Sequence, residues 1–377
     1  MINDSTLVSA IAAANLPGVI AMIVDSEGTR YARALGYANA PAETPMREDT
    51  LCQIASMTKA IVSVGAMQLV EQGWLTLDSP ICEVLPELAD PRVITGFAED
   101  GAVQTRPATR PLTLRHLLTH TSGFGYAFVQ PEVLRYFQSI GMPAPGSLDS
   151  LRMPLLFDPG EGWAYGISTD WVGQAIEAAT GASLGDYLAE NVFTPLGMSA
   201  TAFRPALPEG AAKVHVRNPD GSLKVIPANL GGGAFQSGGS GLSSTAPDYA
   251  RFMRMILRGG ELDGACVIEQ RTLAEMSRNQ VGLLRAGHIG TTMPHLALAF
   301  DGMPDQRTGW GLGFLINPET GPNGRSAGSL AWAGIFNSYY WIDPHAGVAG
   351  LFISQLSPFS DPGALECFAA LERMAYC

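Results

Sequence analysis

Strand-like runs stand at both ends of this chain with helical patterns between them, an order that one sheet can satisfy only by pairing residues from opposite ends. Near the amino end, Gly18-Val19-Ile20-Ala21-Met22-Ile23-Val24 and Thr29-Arg30-Tyr31-Ala32-Arg33-Ala34-Leu35 flank Ser26-Glu27-Gly28, which reads as a hairpin. Strand-like runs return late, at 310–316, 330–332, 338–342 and 348–354. Helices are expected at 5–15, 184–192, around Tyr249-Phe252-Met253-Ile256, and at 362–374. The pattern predicts an α/β protein, a sheet built from both ends of the chain with helices inserted between. With 377 residues, 46% of them hydrophobic, the chain is long enough to bury a large core or two lobes.

Charge narrows the partners. A net charge of −12 and a pI near 4.9 repel phosphates, which argues against nucleic acid and anionic membrane. Met1-Ile2-Asn3-Asp4-Ser5 lacks a basic secretory leader and no segment offers eighteen uninterrupted apolar residues, so the expectation is a soluble, cytoplasmic protein. The five cysteines, Cys52, Cys82, Cys266, Cys367 and Cys377, are scattered without C-x-x-C spacing. Neither a disulfide framework nor zinc is indicated, and most are expected to be small buried hydrophobes. Gly231-Gly232-Gly233 with Gly238-Gly239-Ser240-Gly241 lacks a phosphate-loop lysine and is read as a loop of close backbone approach.

The chemistry is concentrated at Ser56-Met57-Thr58-Lys59. Positions i and i+3 share a helix face, and Ile61, Val62, Gly65, Ala66, Leu69 and Val70 continue an apolar stripe at helical spacing. The expectation is an amphipathic helix with Ser56 in its first turn, where free N–H groups favour developing negative charge. An ester or amide carbonyl attacked by Ser56 Oγ needs a proton acceptor, and Lys59 serves once burial or a neighbouring cation lowers its affinity for the proton. S-x-x-K alone is also an ordinary N-cap serine with a solvated lysine. A second signal is the Pro/Gly turn from Asp158 through Tyr165 to a helix start, with Ser168 or Thr169 as the expected cap for the helix carrying Trp171, Val172, Ile176 and Ala179. Tyr165, on the loop before that helix, is either a packed aromatic or a partner that relays the serine's proton.

Taken in order, Ser56 to Lys59, Leu114 to Gly123 (L-R-H-L-L-T-H-T-S-G), Pro159 through Tyr165, Phe193-Thr194-Pro195-Leu196-Gly197-Met198 and Trp332-Ala333-Gly334 resemble the serine β-lactamase-fold hydrolases, in the class C β-lactamase and family VIII carboxylesterase group. The resemblance spans almost the whole chain. It implies a β-lactamase/DD-peptidase-like fold of the α+β kind, a mostly antiparallel sheet flanked by helices: an α/β domain from 1–85 and 171–377, a smaller helical lobe at 86–170, and an active site in the groove between them. It also implies catalytic roles for Ser56, Lys59 and Tyr165. The backbone N–H of Ser56 and that of Ile335, just after an edge-strand motif ending in Gly334, would form the oxyanion hole. Trp332 and Gly334 would border substrate, the glycine allowing close backbone approach. Trp332 also reads as a plain core tryptophan.

Two departures from the lactamase pattern carry the substrate expectation. Trp332 and Ala333 stand where lactamases have lysine and threonine, which removes contacts to a β-lactam carboxylate. Ile167 stands where they have an asparagine. Both changes favour small neutral esters. Rival sites are weaker: Gly324-Arg325-Ser326-Ala327-Gly328 matches G-x-S-x-G, but a polar Pro/Gly stretch precedes it and a strand-like segment follows. His116 and His120 lie at i and i+4 without the glutamate of H-E-x-x-H, so no metal site is expected. The expected protein is a serine carboxylesterase for short-chain acyl esters, using a covalent acyl-serine, without cofactor or metal, its oligomeric state open. Alternatives are a D-amino-acid peptidase or amidase, a β-lactamase-like hydrolase, an acyltransferase on the same residues, or a catalytically idle ligand-binding protein.

Overall fold

In the computed structural model, residues 3–377 are described apart from 145, 219 and 234; Met1 and Ile2 of the amino-terminal stretch read above lie outside them. The central sheet has eight antiparallel strands. Three come from the amino end, β1 (Gly18–Asp25), β2 (Thr29–Asn39) and β3 (Thr44–Pro45). Five come from the carboxyl end: β4 (Gly309–Trp310), β5 (Leu315–Ile316), β6 (Leu330–Gly334), β7 (Ser338–Asp343) and β8 (Val348–Ser354). The order is β4-β5-β6-β7-β8-β1-β2-β3, and β8 joins the two ends in the register Val19↔Ser354 to Asp25↔Val348. The seven residues expected as one strand at 310–316 instead form the short pair β4 and β5, because Gly313 takes a positive φ of 104° between them.

Strand alternation explains the layers. Val19, Ala21 and Ile23 of β1 face α1 (Ser5–Ala13) and the carboxyl-terminal helix Pro362–Ala375 with Leu7, Cys367 and Leu371. Ile20, Met22 and Val24 face the opposite way, toward α2 (Thr58–Glu71) and α4 (Ala246–Leu257), into a larger core. With apolar layers on both faces, the middle strands are buried throughout.

Two local expectations need correction. The stripe after Ser56 predicts an amphipathic helix, yet every residue of α2 from Thr58 to Leu69 is buried. It is a central helix, covered by the sheet and by α3 (Ser168–Thr180), which packs against it. Gly65 permits this, since a Cβ there would lie 2.9 Å from Leu188 Cδ2. Neither Ser168 nor Thr169 caps α3: Ile167 holds the cap position, and the Ser168 hydroxyl shares a 2.8 Å hydrogen bond with Ser122 Oγ.

The segment 86–170, read as a helical lobe, contains the helices Leu114–Leu118 and Pro131–Ile140. It also holds an antiparallel hairpin, Arg92–Phe97 with Val103–Pro107, and residue 170 falls inside the first turn of α3. Of the cysteines, Cys52 and Cys367 are buried, Cys82 is half-buried, and Cys266 and Cys377 are exposed, so fewer than expected are core residues. Among the described residues no helix is long and apolar enough to cross a membrane.

Candidate active site

Ser56 sits in a 3-10 turn, Ala55–Met57, that runs directly into α2. The residue before it, Ala55, is buried and takes a left-handed φ of 47°. Such a conformation costs a non-glycine residue about 1 kcal/mol or more and persists only where packing enforces it. Here β6 enforces it. A Cβ on Gly334 would lie 2.5 Å from the Ile54 carbonyl oxygen, so that only glycine lets the strand close on the serine turn.

Lys59, one turn along, is 1% exposed. Its Nζ donates to Gly239 O at 2.8 Å, and lies 3.2 Å from the Tyr126 hydroxyl and 3.3 Å from Ser56 Oγ. Three partners match the three positions around an amine nitrogen. The carbonyl can only accept, so one N–H is committed to Gly239, and the remaining two positions face Ser56 and Tyr126.

Tyr165 meets this cluster differently. Its ring lies over Lys59, with Nζ 4.8 Å from the centroid, and its phenolic oxygen accepts a 3.0 Å hydrogen bond from the indole N–H of Trp332. Both side chains are 5% exposed and pack with ring centroids 4.9 Å apart. Trp332 is therefore both a core tryptophan and a hydrogen-bond donor to the tyrosine loop. His120 and Trp310 complete the aromatic floor, the His120 ring 5.0 Å from that of Tyr165 and the Trp310 ring 4.6 Å from that of Trp332. Burial, reinforced by the charge of Lys59, holds His120 well below the usual histidine range, so it sits there neutral.

The strand bearing Trp332 was expected at the sheet edge. β6 is third in the order, but its ladder with β5 pairs only Leu330 and Ala331. Trp332-Ala333-Gly334 therefore has its far side clear of β5 and lines a cavity of about 330 Å³ together with Ser56, Tyr165 and Ile335. The other walls are apolar, among them Phe128, Ile289, Leu296 and Phe359. A second cavity of about 440 Å³ shares Tyr126, Phe128, Leu230 and Ser240 with the first and extends between Phe137, Met142 and Phe235.

Three residues of this site escaped the sequence reading. Tyr126 follows the T-H-T-S-G segment in Gly123-Phe124-Gly125-Tyr126, where a glycine-flanked aromatic is the available signal. Gly239 belongs to the glycine loop, whose close approaches are present: a Cβ on Gly238 would lie 2.5 Å from Thr169 O, and one on Gly239 2.6 Å from Asp170 Oδ2. Asp170, five residues after Tyr165, had no local signal. Ser326, by contrast, lies in the loop between β5 and β6, its N–H donating to Asp343 Oδ2 at 2.8 Å and its carbonyl accepting from Asn317 and Ser329. His116 bonds Thr113 through Nδ1 at 3.1 Å, and no cluster of metal-ligating side chains occurs among the described residues.

Fold and site together define the β-lactamase-fold serine hydrolases. The chain belongs to the Beta-lactamase family, which it matches over residues 4–370. It is 31% identical to monacolin J acid methylbutanoyltransferase of Aspergillus terreus, over 97% of this chain and 93% of that protein. It is also 31% identical to esterase EstB of Burkholderia gladioli, over 93% and 89%. Among solved structures, unliganded simvastatin synthase from Aspergillus terreus superposes with a TM-score of 0.82 at 30% identity, covering 98% of this chain and 95% of that one. Esterases and acyltransferases thus both stand among its relatives.

Proposed function

We propose that this protein is a serine carboxylesterase that cleaves short-chain acyl esters of neutral alcohols through an acyl-serine intermediate. The observation that carries the reading is Ser56 Oγ, 3.3 Å from the buried Lys59 Nζ, at the wall of an apolar cavity of about 330 Å³. Ser56 Oγ attacks the ester carbonyl and its proton passes to Lys59 Nζ. The N–H groups of Ser56 and Ile335 receive the oxyanion. Collapse breaks the bond to the alkoxide, which takes a proton from the Lys59–Tyr165 pair; water then attacks the acyl-serine with the same pair accepting its proton, and the second collapse breaks the acyl–Oγ bond, returns that proton to Ser56 Oγ and releases the acid. Trp332, whose N–H is committed to Tyr165, presents no cation to a substrate carboxylate, which favours neutral esters over β-lactams.

A second reading is acyl transfer to an alcohol. The second cavity favours it, because it meets the first at Tyr126 and Ser240 and has room for an acceptor beside the acyl group. Binding there would let the acceptor compete with water for the acyl-serine.

A chromogenic butyrate ester, a chromogenic cephalosporin and an organophosphonate label test both readings. The ester should turn over at least about a hundredfold faster than the cephalosporin, and the phosphonate adduct should fall on Ser56, with Ser56→Ala inactive and Ser326→Ala active. Equal turnover of the cephalosporin overturns the substrate class, and an adduct on Ser326 overturns the mechanism. New ester formed on adding an apolar alcohol at the expense of free acid decides for transfer.

A further inference from the structure

Asp170 is a buried carboxylate that the steps above do not use. It is 4% exposed, and its Oδ1 accepts from the Ser237 hydroxyl at 2.5 Å and from the Gly239 N–H at 3.0 Å. Neither donor is a cation, an expensive environment for a carboxylate. Two features support the charge there. Asp170 stands in the first turn of α3, at the positive end of a thirteen-residue helix. The charge of Lys59 also opposes burial, which still leaves the carboxyl above its usual range.

The carboxylate grips the residue whose other face grips Lys59. Gly239 gives its N–H to Asp170 and its carbonyl to Lys59 Nζ at 2.8 Å. The grip is tight: a Cβ on Gly239 would lie 2.6 Å from Asp170 Oδ2, and one on Gly238 2.5 Å from the Thr169 carbonyl. Loop 237–240 is thus pinned against the start of α3, and its pinned carbonyl commits one N–H of Lys59. An amine free to rotate about its stem would spread its lone pair over several directions; held by Gly239, it presents that position to Ser56 or Tyr126 alone.

We infer that Asp170 is a positioning residue that sets the orientation of Lys59 through Gly239 and acts on it directly by its charge. The inference rests on the reading of Ser56 as nucleophile and Lys59 as its base. The titratable groups that face Lys59 are Tyr126 and Tyr165 from their loops, His120 from the turn after Leu114–Leu118, and Asp170 from α3. His120 is neutral, and burial pushes the Tyr126 phenol well above its usual range, with the Asp170 and Tyr165 charges adding to it. Asp170 is therefore the one carboxylic acid among the groups that face Lys59.

The test is the pH dependence of the rate at which an organophosphonate labels Ser56 in the full chain, compared with Asp170→Asn and Ser237→Ala. Asn keeps the shape and removes the charge. The attraction between that charge and Lys59 is withdrawn, so the acidic limb of the labelling profile should move to lower pH by half a unit or more. The plateau rate should fall at least tenfold because the Gly239 carbonyl is no longer pinned. Ser237→Ala keeps the charge, so its limb should stay in place while its plateau falls about threefold. A role confined to holding the loop for stability would lower the melting temperature and leave the limb where it is. A folded Asp170→Asn with the wild-type limb and a plateau within twofold overturns the inference. Should Asp170→Asn fail to fold, an unchanged plateau in Ser237→Ala overturns it. Absence of the adduct from Ser56 in the wild type sinks the proposed function and this inference with it, whereas a labelled Ser56 with an indifferent Asp170 sinks this inference alone.

Discussion

The indole N–H of Trp332 donates to the phenolic oxygen of Tyr165 at 3.0 Å, across a pair of rings that are almost wholly buried. Where a lysine in the lactamase pattern would bring a charge, this chain brings a neutral donor. The tyrosine oxygen is steadied without a cation that could also hold a substrate carboxylate. In the proposed mechanism one side chain would thereby act on the proton relay and on the substrate range together.

Trp332→Phe keeps an aromatic wall and removes the donor. A hydrogen bond to an oxygen that gains charge in the reaction is worth about 1.5–3 kcal/mol, so kcat for a short ester should fall roughly tenfold to a hundredfold. KM should stay within about threefold, since the cavity keeps its shape. Steady-state kinetics on acetate and butyrate esters check this, and a pure KM effect would make Trp332 a wall and nothing more.

Tyr126 and Tyr165 contact Lys59 in different ways, one by hydroxyl and one by ring face. Tyr165→Phe should lower kcat by about a hundredfold or more, as loss of a proton-relay group does. Tyr126→Phe leaves one position on Lys59 unpaired and should cost about tenfold. If Tyr126→Phe proves the more damaging, the relay runs through Tyr126 instead.

His120 ties stability to pH. Burial holds it well below the ordinary histidine range, so the unfolded chain takes up a proton near pH 6.5 that the folded chain refuses. The stability is intact above about pH 6.5 and is lost progressively as the pH falls below it. His116 and His215, lowered by burial in the same direction, add to the loss. His120→Asn suits the left-handed backbone at this position, φ 57°, and should lose less stability between pH 7.5 and 5.5 in urea unfolding. Identical losses in the two proteins would show that His120 does not titrate on unfolding.

What could be read from residues alone followed locality. Strands β1 and β8 and the last helix were legible within a residue, and β2 apart from its last four residues, because alternation and helical spacing are short-range patterns. Ser56 and Lys59 were legible for the same reason, one helical turn apart. The hairpin at 92–107 was overlooked although Glu99-Asp100-Gly101 is a turn signal between alternating residues. Tyr126, Gly239 and Asp170 were hidden because their meeting with Lys59 depends on tertiary packing between segments far apart in the chain. The buried α2 misled for another reason: its polar residues, Thr58, Lys59, Ser63 and Gln68, imitate a wet face while each is enclosed by the core.

The pairing of β1 with β8 gives the site a position in time as well as in space. The serine turn is synthesised well before the strand that closes on it through Gly334, which lies far along the chain from it. Until then the sheet has no middle, because β8 and β7 join β6 to the amino-terminal strands. A nascent chain therefore carries Ser56 without its closing strand, and the pocket around it is complete only once β6 docks.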